Sequence, residues 1–413
     1  MQAAGAGARA EQGLEQEPLR TIEDALPGRG SVTRHGSLVS DQWSGANQTY
    51  LVWFSGCGRL ATATARQDST MARYRGALPQ AKGELMITDG GIETDLIFHR
   101  GFDLPLFAAF PLVADDSGRE ALRRYYEEYA GIARANRVGL VLESPTWRAN
   151  PDWAPQLGYT LEELDSMNRA AIALMEDIRQ RHDSAISPIV VSGCVGPRGD
   201  GYVDGATMSA DEAEEYHARQ IGVFAESDAD ITTAITMAYA QEAVGVARAA
   251  VAAGIPSAIS FTVETDGRLP SGQPLGEAIA QVDDATGGAP AYFMINCAHP
   301  THFAGALEPD AAWAKRIHGL RLNASTRSHA ELDEAEELDE GNPEELGAQY
   351  RALRDALPAV SVLGGCCGTD QRHVATICSA WLAPAAGPSR CADTRSNRSQ
   401  AASSWGWWTG SRS

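Results

Sequence analysis

No uninterrupted apolar run in this chain reaches the length of a membrane-spanning helix, which argues against a helical membrane span. Basic residues are in deficit: 34 Lys and Arg against 54 Asp and Glu leave a net charge of -20. That balance argues against general binding to nucleic acid or to an anionic membrane and favours a soluble protein. There is no Gly-rich dinucleotide motif and no P-loop, so neither NAD nor ATP use is supported. Cysteines number seven, an odd count scattered through the chain. This is not the pattern of a disulfide framework, and a reducing cytoplasm is the expected location. The N-terminus lacks the apolar core of a signal peptide, and Glu11, Glu15 and Glu17 deny it the acid-poor character of a transit peptide.

What is present is enough to bury a large core: 413 residues, 44% of them hydrophobic, compatible with one large α/β barrel or two ordinary domains. Residues 1–70 show little periodicity and are expected to be a poorly ordered extension, with Tyr50-Leu51-Val52-Trp53-Phe54 its one apolar patch. Met71 opens a different texture and is a candidate initiator. Residues 385–413, rich in Ala, Ser, Gly and Arg and ending in Trp405-Gly406-Trp407-Trp408-Thr409 and four further residues, are expected to be a disordered tail. Between them, over 71–384, eight short apolar runs read as strands: 85–88, 139–143, 189–193, 230–234, 258–262, 291–295, 319–323 and 360–363. Stretches with helical spacing and frequent charge alternate with them, as at 119–137, 161–181, 211–226 and 344–357. Eight strands alternating with helices predict an α/β fold, a (β/α)8 TIM barrel forming a single catalytic domain. The active site of such a barrel lies at the C-terminal strand ends. The unusual residues cluster there: Asp89-Gly90-Gly91-Ile92-Glu93-Thr94, Glu143 with Thr146-Trp147-Arg148, Gly193-Cys194-Val195-Gly196-Pro197, Glu264, Asn296-Cys297, Asn323 and Cys366-Cys367.

In Gly364-Gly365-Cys366-Cys367-Gly368, two adjacent cysteines can face one site only if the backbone turns sharply, which flanking glycines permit. Cys297, closing the apolar run Ala291-Tyr292-Phe293-Met294-Ile295, is the most plausible source of a third thiol. Three thiolates would hold a zinc ion and leave one tetrahedral position open, the catalytic arrangement. The competing reading is three small buried thiols, since usual zinc half-sites space their cysteines by two or more residues. His299 is a possible alternative ligand, though a helix cap or a group behind the ligands suits its position better. Cys194 reads as a buried thiol. Glu93 and Glu143 read as hydrated carboxylates, and the acidic run from Glu331 to Glu337 as a solvated helix face.

In their order and with the double cysteine, the blocks Asp89-Gly90-Gly91-Ile92-Glu93-Thr94, Gly193-Cys194-Val195-Gly196-Pro197, Ser260-Phe261-Thr262-Val263-Glu264, Asn296-Cys297 and Gly364-Gly365-Cys366-Cys367-Gly368-Thr369 resemble the homocysteine S-methyltransferase family. The resemblance implies a (β/α)8 barrel, Zn2+ held by Cys297, Cys366 and Cys367, and methylation of homocysteine to methionine in methionine biosynthesis. It also makes Asp89, with Gly90 beside it, and Asn296 candidates for substrate binding; the alternative for Asp89 is an Asx turn or helix cap. Glu264, ahead of the turn signal Thr265-Asp266-Gly267, is a candidate partner for an ammonium group, against plain solvation. Two departures stand out. Where the family commonly has a Glu-Thr pair ending the fourth strand, this chain has Ile235-Thr236, and its Thr-x-Tyr after the second strand is replaced by Thr146-Trp147-Arg148. Arg148 could pair with a substrate carboxylate. The expected partners are therefore a small-molecule thiol and a small onium methyl donor, S-methylmethionine ahead of S-adenosylmethionine and betaine. A zinc hydrolase, a methyltransferase for a different thiol, and a non-catalytic zinc- or thiol-binding barrel are the alternatives. Nothing in the sequence sets an oligomeric state.

Overall fold

A computed structural model of the chain describes residues 49–52, 61–64, 72–199, 201–202, 207–335 and 337–384. The chain divides into two units, Met1–Asp68 and Ser69–Ser413. Of the first, only an antiparallel strand pair, Thr49–Val52 with Ala61–Thr64, is described. The rest of the expected N-terminal extension and the 385–413 tail lie outside the described residues.

The second unit holds eight strands: β1 (Met86–Ile87), β2 (Gly139–Glu143), β3 (Ile189–Val195), β4 (Ile231–Met237), β5 (Ser257–Phe261), β6 (Tyr292–Asn296), β7 (Ile317–Leu322) and β8 (Val362–Gly365). All pair in parallel, each with its neighbour in sequence, and β8 pairs with β1 through Val362–Met86 and Leu363–Ile87, which closes the barrel. The helices that follow the strands in turn are α1 (Asp116–Asn136), α2 (Leu161–His182), α3 (Ala210–Ala225), α4 (Ala240–Ala253), α5 (Leu275–Thr286), the single turn α6 (Pro300–Phe303), α7 (Pro343–Leu353) and α8 (Gln371–Leu382). This is the (β/α)8 TIM barrel expected. No helix among the described residues is long and apolar enough to cross a membrane.

Local chemistry sets the helix starts. Thr160 with Glu163 and Ser209 with Glu212 form capping boxes that open α2 and α3, each satisfying two otherwise orphaned amides. Asp115 accepts from Gly118 N and starts α1 a turn earlier than its apolar spacing suggests. Strands β3 and β4 run past their expected ends, so Gly193-Cys194-Val195 belongs to a strand and not to a loop.

Alternation along the strands decides what the barrel encloses. Met86, Val141, Val190, Ile231, Ala258, Tyr292, Met294 and Val362 form one buried cluster, while their neighbours Ile87, Leu140, Leu142, Ile189, Val191 and Leu363 pack in the larger cluster shared with the helices. Two residues further along, the same inward register turns polar: Glu143, Ser192 with Cys194, Thr233, Ser260 and Asn296, all buried. The apolar end closes the barrel's floor, and the polar end furnishes its C-terminal mouth.

Candidate thiol site at the barrel mouth

Cys297 follows the last residue of β6, and Cys366-Cys367 follow the last residues of β8. Backbone bonds tie both turns to β7: Cys297 N donates to Arg321 O at 3.1 Å and Cys366 N to Leu322 O at 3.0 Å. The three Sγ atoms all lie within 4.8 Å of one another. Cys297 and Cys366 are joined as a disulfide, Cα to Cα 5.5 Å, leaving Cys367 as the free thiol of the trio. Burial pushes the Cys367 thiol up to about 12, with the Glu93 charge adding to it.

The glycines at the double cysteine divide their work differently from the sequence reading. Of Gly364, Gly365 and Gly368, Gly368 alone has a positive φ, +78°. Gly364 lies in the strand, where an added Cβ would collide with the Thr88 hydroxyl; glycine there allows close approach of β8 to β1 and makes no turn. Non-glycine residues with positive φ include Thr236 (68°) and Cys297 (52°) beside the sulfurs. Such conformations cost of order 1–3 kcal/mol and persist only where the surroundings enforce them. Asn296 does the enforcing: its Oδ1 accepts from Thr236 N at 2.9 Å and its Nδ2 donates to Thr236 Oγ1 at 2.9 Å. Thr236 Oγ1 is thereby placed 3.9 Å from Cys297 Sγ, and Tyr202 donates its hydroxyl to the same sulfur at 3.1 Å.

The sulfurs open on a cavity at the barrel mouth. Asp89, Gly90, Glu93, Glu143, Ile235 and Arg321 are among its walls. Arg321, inward on β7, donates Nη2 to Asp89 Oδ1 at 2.7 Å and to Gly90 O at 3.2 Å, and Nε to Gly365 O at 3.2 Å. Tyr125 donates to Asp89 Oδ2 at 3.1 Å. Burial opposes the Arg321 charge, yet Asp89 and Glu143 overcome that and push its pKa up. Burial likewise pushes the carboxyls of Glu93 and Glu143 up to about 7. A second space of about 1220 Å³ adjoins the first, sharing Thr94, Phe107, Trp147, Tyr202 and Cys367. Its walls add Phe98, His329, Asp333, Glu337 and Asp339.

Each residue singled out from sequence now has a place. Asp89 and Gly90 line the first cavity, but both Asp89 oxygens already have protein partners. Asn296 does not line it; besides Thr236, its amide oxygen accepts from Ser260 Oγ at 2.6 Å, so it works as a backbone clamp. Glu264 lies outside both cavities, 3.3 Å from His329 Nδ1, and His329 Nε2 closes on Cys297 O. Arg148 lines the second space, its guanidinium 4.3 Å from the Trp147 ring centre and 3.9 Å from that of Trp153, with Nη1 donating to Gly199 O at 3.0 Å. His299 caps α6, and burial, with His302 adding to it, lowers its pKa to about 4. Cys194 is a buried thiol facing the first cavity. Glu143 is buried, so reading it as hydrated was wrong. The acidic run is helical only over His329–Asp333. Sequence reasoning passed over Arg321 and Tyr202 and named Thr236 without giving it a role. For Arg321 a signal existed: an arginine inside the strand run Gly319-Leu320-Arg321-Leu322, in the inward register.

A closed parallel barrel that gathers three sulfurs from two strand ends around a small-molecule cavity defines a (β/α)8 enzyme of thiol chemistry. Comparison with known proteins narrows this class. The sequence model described as homocysteine S-methyltransferase matches residues 86–381; the chain belongs to that family and is a methyltransferase. It is 28% identical over 319 residues to a selenocysteine Se-methyltransferase of Brassica oleracea var. italica, spanning 71% of this chain and 88% of that one. To homocysteine S-methyltransferase 2 of Arabidopsis thaliana it is 25% identical over 321 residues, 71% of this chain and 92% of the relative. Among solved structures, the metallated form of the homocysteine methyltransferase MmuM from Escherichia coli superposes with a TM-score of 0.57 at 16% identity, over 74% of this chain and 99% of that one. An oxidized form of the same enzyme superposes at 0.58 and 18%, over 74% and 98%. At those identities the structural likeness concerns the fold.

Proposed function

We propose that this protein transfers a methyl group from a small onium donor, S-methylmethionine foremost, to the thiolate of homocysteine, giving methionine, with Zn2+ held by Cys297, Cys366 and Cys367. The observation that carries the reading is the convergence of the three sulfurs within 4.8 Å at the mouth of the cavity. Tetrahedral zinc with Zn–S bonds near 2.3 Å requires sulfurs about 3.8 Å apart. Reduction of the Cys297–Cys366 bond and small side-chain rotations bring the trio to that spacing, so the residues fit the ion. A zinc ion bound there supplies a fourth position at which a substrate thiol is deprotonated.

The chain's own residues do the rest. Tyr202 and Thr236 direct hydroxyls at Cys297 Sγ, and Asn296 holds Thr236 in the conformation this needs. Phe98, Phe107, Trp147 and Tyr202, with Asp333, Glu337 and Asp339 nearby, wall the adjoining space. Aromatic faces and carboxylates attract a compact cation, which suits an onium donor. In the transfer, a sulfur lone pair of the substrate thiolate forms the new S–CH3 bond while the donor's S–CH3 bond breaks, its electron pair returning to the donor sulfur as a neutral thioether. Placement in line is what the two joined cavities contribute. A reducing compartment such as the cytoplasm would keep the three ligands available.

A different thiol is the second reading, favoured by Ile235 in the cavity wall. The deciding experiment is metal analysis of the reduced protein, followed by incubation with homocysteine and each of S-methylmethionine, S-adenosylmethionine and betaine, with methionine as the readout. One zinc per chain and methionine from at least one donor are expected. Zinc with no methyl transfer from any donor to homocysteine refutes the reading.

A further inference from the structure

Three carboxylates line the thiol cavity: Asp89, Glu93 and Glu143. They are not equivalent. Both oxygens of Asp89 are spent, on Arg321 and on the Tyr125 hydroxyl. Glu93 is half-buried in the one-turn helix Ile92–Thr94, where its own backbone amide bonds its carboxylate. Glu143 ends β2 pointing inward, is 4% exposed, and its Oε2 has no protein hydrogen-bond partner. The neighbouring hydroxyls of Ser192 and Thr233 bond each other at 2.8 Å and also draw on the Glu143 carboxylate, yet Oε2 stays without a partner. Arg321, the one cation in the cavity wall among the described residues, is committed to Asp89. A buried carboxylate oxygen without a donor costs free energy unless something pairs with it. A few residues around the rim, the fourth strand contributes the aliphatic Ile235 to the same wall, so no carboxylate comes from that side.

We infer that Glu143 receives the ammonium group of an amino-acid thiol, the second strand supplying the anion that the fourth strand does not. This rests on the cavity being the thiol-substrate site proposed above, and it adds the residue that reads the amine of that substrate. Arrival of the cation gives Oε2 a charge-assisted partner and relieves the burial that holds this carboxyl near 7. The substrate sulfur, at the other end of the molecule, reaches the cysteines in the same cavity.

The test compares two thiols that differ only in the amine, homocysteine and 4-sulfanylbutanoic acid, by calorimetric titration of reduced, zinc-loaded protein. Wild-type protein is expected to bind homocysteine about tenfold or more tighter, the order expected of one charge-assisted bond. Glu143→Gln removes that preference and leaves the affinity for 4-sulfanylbutanoic acid within about twofold, since one uncharged contact is worth little there. Wild-type protein that binds the two thiols equally, or binds neither, overturns the assignment. So does loss of the preference in Glu93→Gln with Glu143→Gln unchanged. Because the wild-type contrast needs no variant, misfolding of either variant does not shield the inference. The two readings fail separately: a binding preference without methyl transfer from any donor sinks the proposed activity alone, and equal kcat/KM for both thiols sinks the role of Glu143 alone.

Discussion

Replacing Glu143 by glutamine should stabilise the ligand-free protein, by an amount that grows with pH. Burial raises this carboxyl from its ordinary 4.5 to about 7, with Arg321 and the Ser192 and Thr233 hydroxyls pulling the other way and the Asp89 charge adding to the rise. At about 1.4 kcal/mol per pH unit, that rise is worth about 3 kcal/mol in favour of the protonated form. The sign follows from proton counts. Between pH 4.5 and 7 the folded state keeps a proton that the unfolded state has lost, so raising the pH across that window weakens the wild-type fold. Above 7 both states are ionised and the penalty is complete. Glutamine keeps the shape and one donor but has no proton to lose, so it escapes the penalty. Urea unfolding of wild type and Glu143→Gln, both reduced and metal-free, should show the variant gaining about 2 kcal/mol relative to wild type between pH 5 and pH 8. Stability curves that run parallel over this range would refute the claim that Glu143 is a desolvated carboxylate, and with it the argument for an unmet anion in the cavity.

Cys366→Ala should lose zinc in elemental analysis, and methionine formation should fall by more than the 10- to 100-fold typical for loss of an outer partner; unchanged activity removes the double cysteine from the chemistry. Arg321→Met strands the buried Asp89 charge and should cost about 3–5 kcal/mol in urea unfolding, most of it recovered when Asp89→Asn is added. Asp370 opens α8 just after the double cysteine. Although burial opposes its charge, bonds from His373 and Arg372 hold its carboxyl well below the usual range. Asp370→Ala should cost about 1–2 kcal/mol near neutral pH. A depressed carboxylate stabilises above its unfolded pKa and loses that contribution as pH falls, so the gap to wild type should narrow in acid, measured as the difference in unfolding midpoints.

Several features were legible before any coordinates. Hydrophobic runs placed all eight strands, because a strand buried on both faces reads as a nearly continuous apolar segment. Helical spacing with frequent charge placed α2 to within a residue, and the capping box of Thr160 and Glu163 fixes its start. The trio Cys297, Cys366 and Cys367 was legible because each cysteine directly follows a strand, and a closed barrel brings strand ends to one rim. The expected ends of β3 and β4, Gly193 and Ala234, fell short because both stop at a small residue of low strand propensity. In the fold, Gly193 gives Phe224 room against β3, and Asn296, 60 residues downstream, holds Thr236.

The sequence by itself determined the architecture and the convergence of the three cysteines, because both follow from order along the chain: strand, helix, strand, and cysteine after strand. Tertiary structure alone decided how the charges are shared. Asp89 and Arg321 are 232 residues apart and meet at 2.7 Å only once β7 lies one strand from the closing β8–β1 seam. That pairing takes Asp89 out of contention and leaves Glu143, set aside as an ordinary hydrated carboxylate, as the buried anion with an unmet oxygen. Periodicity reveals which way a side chain faces, but not what has already claimed it.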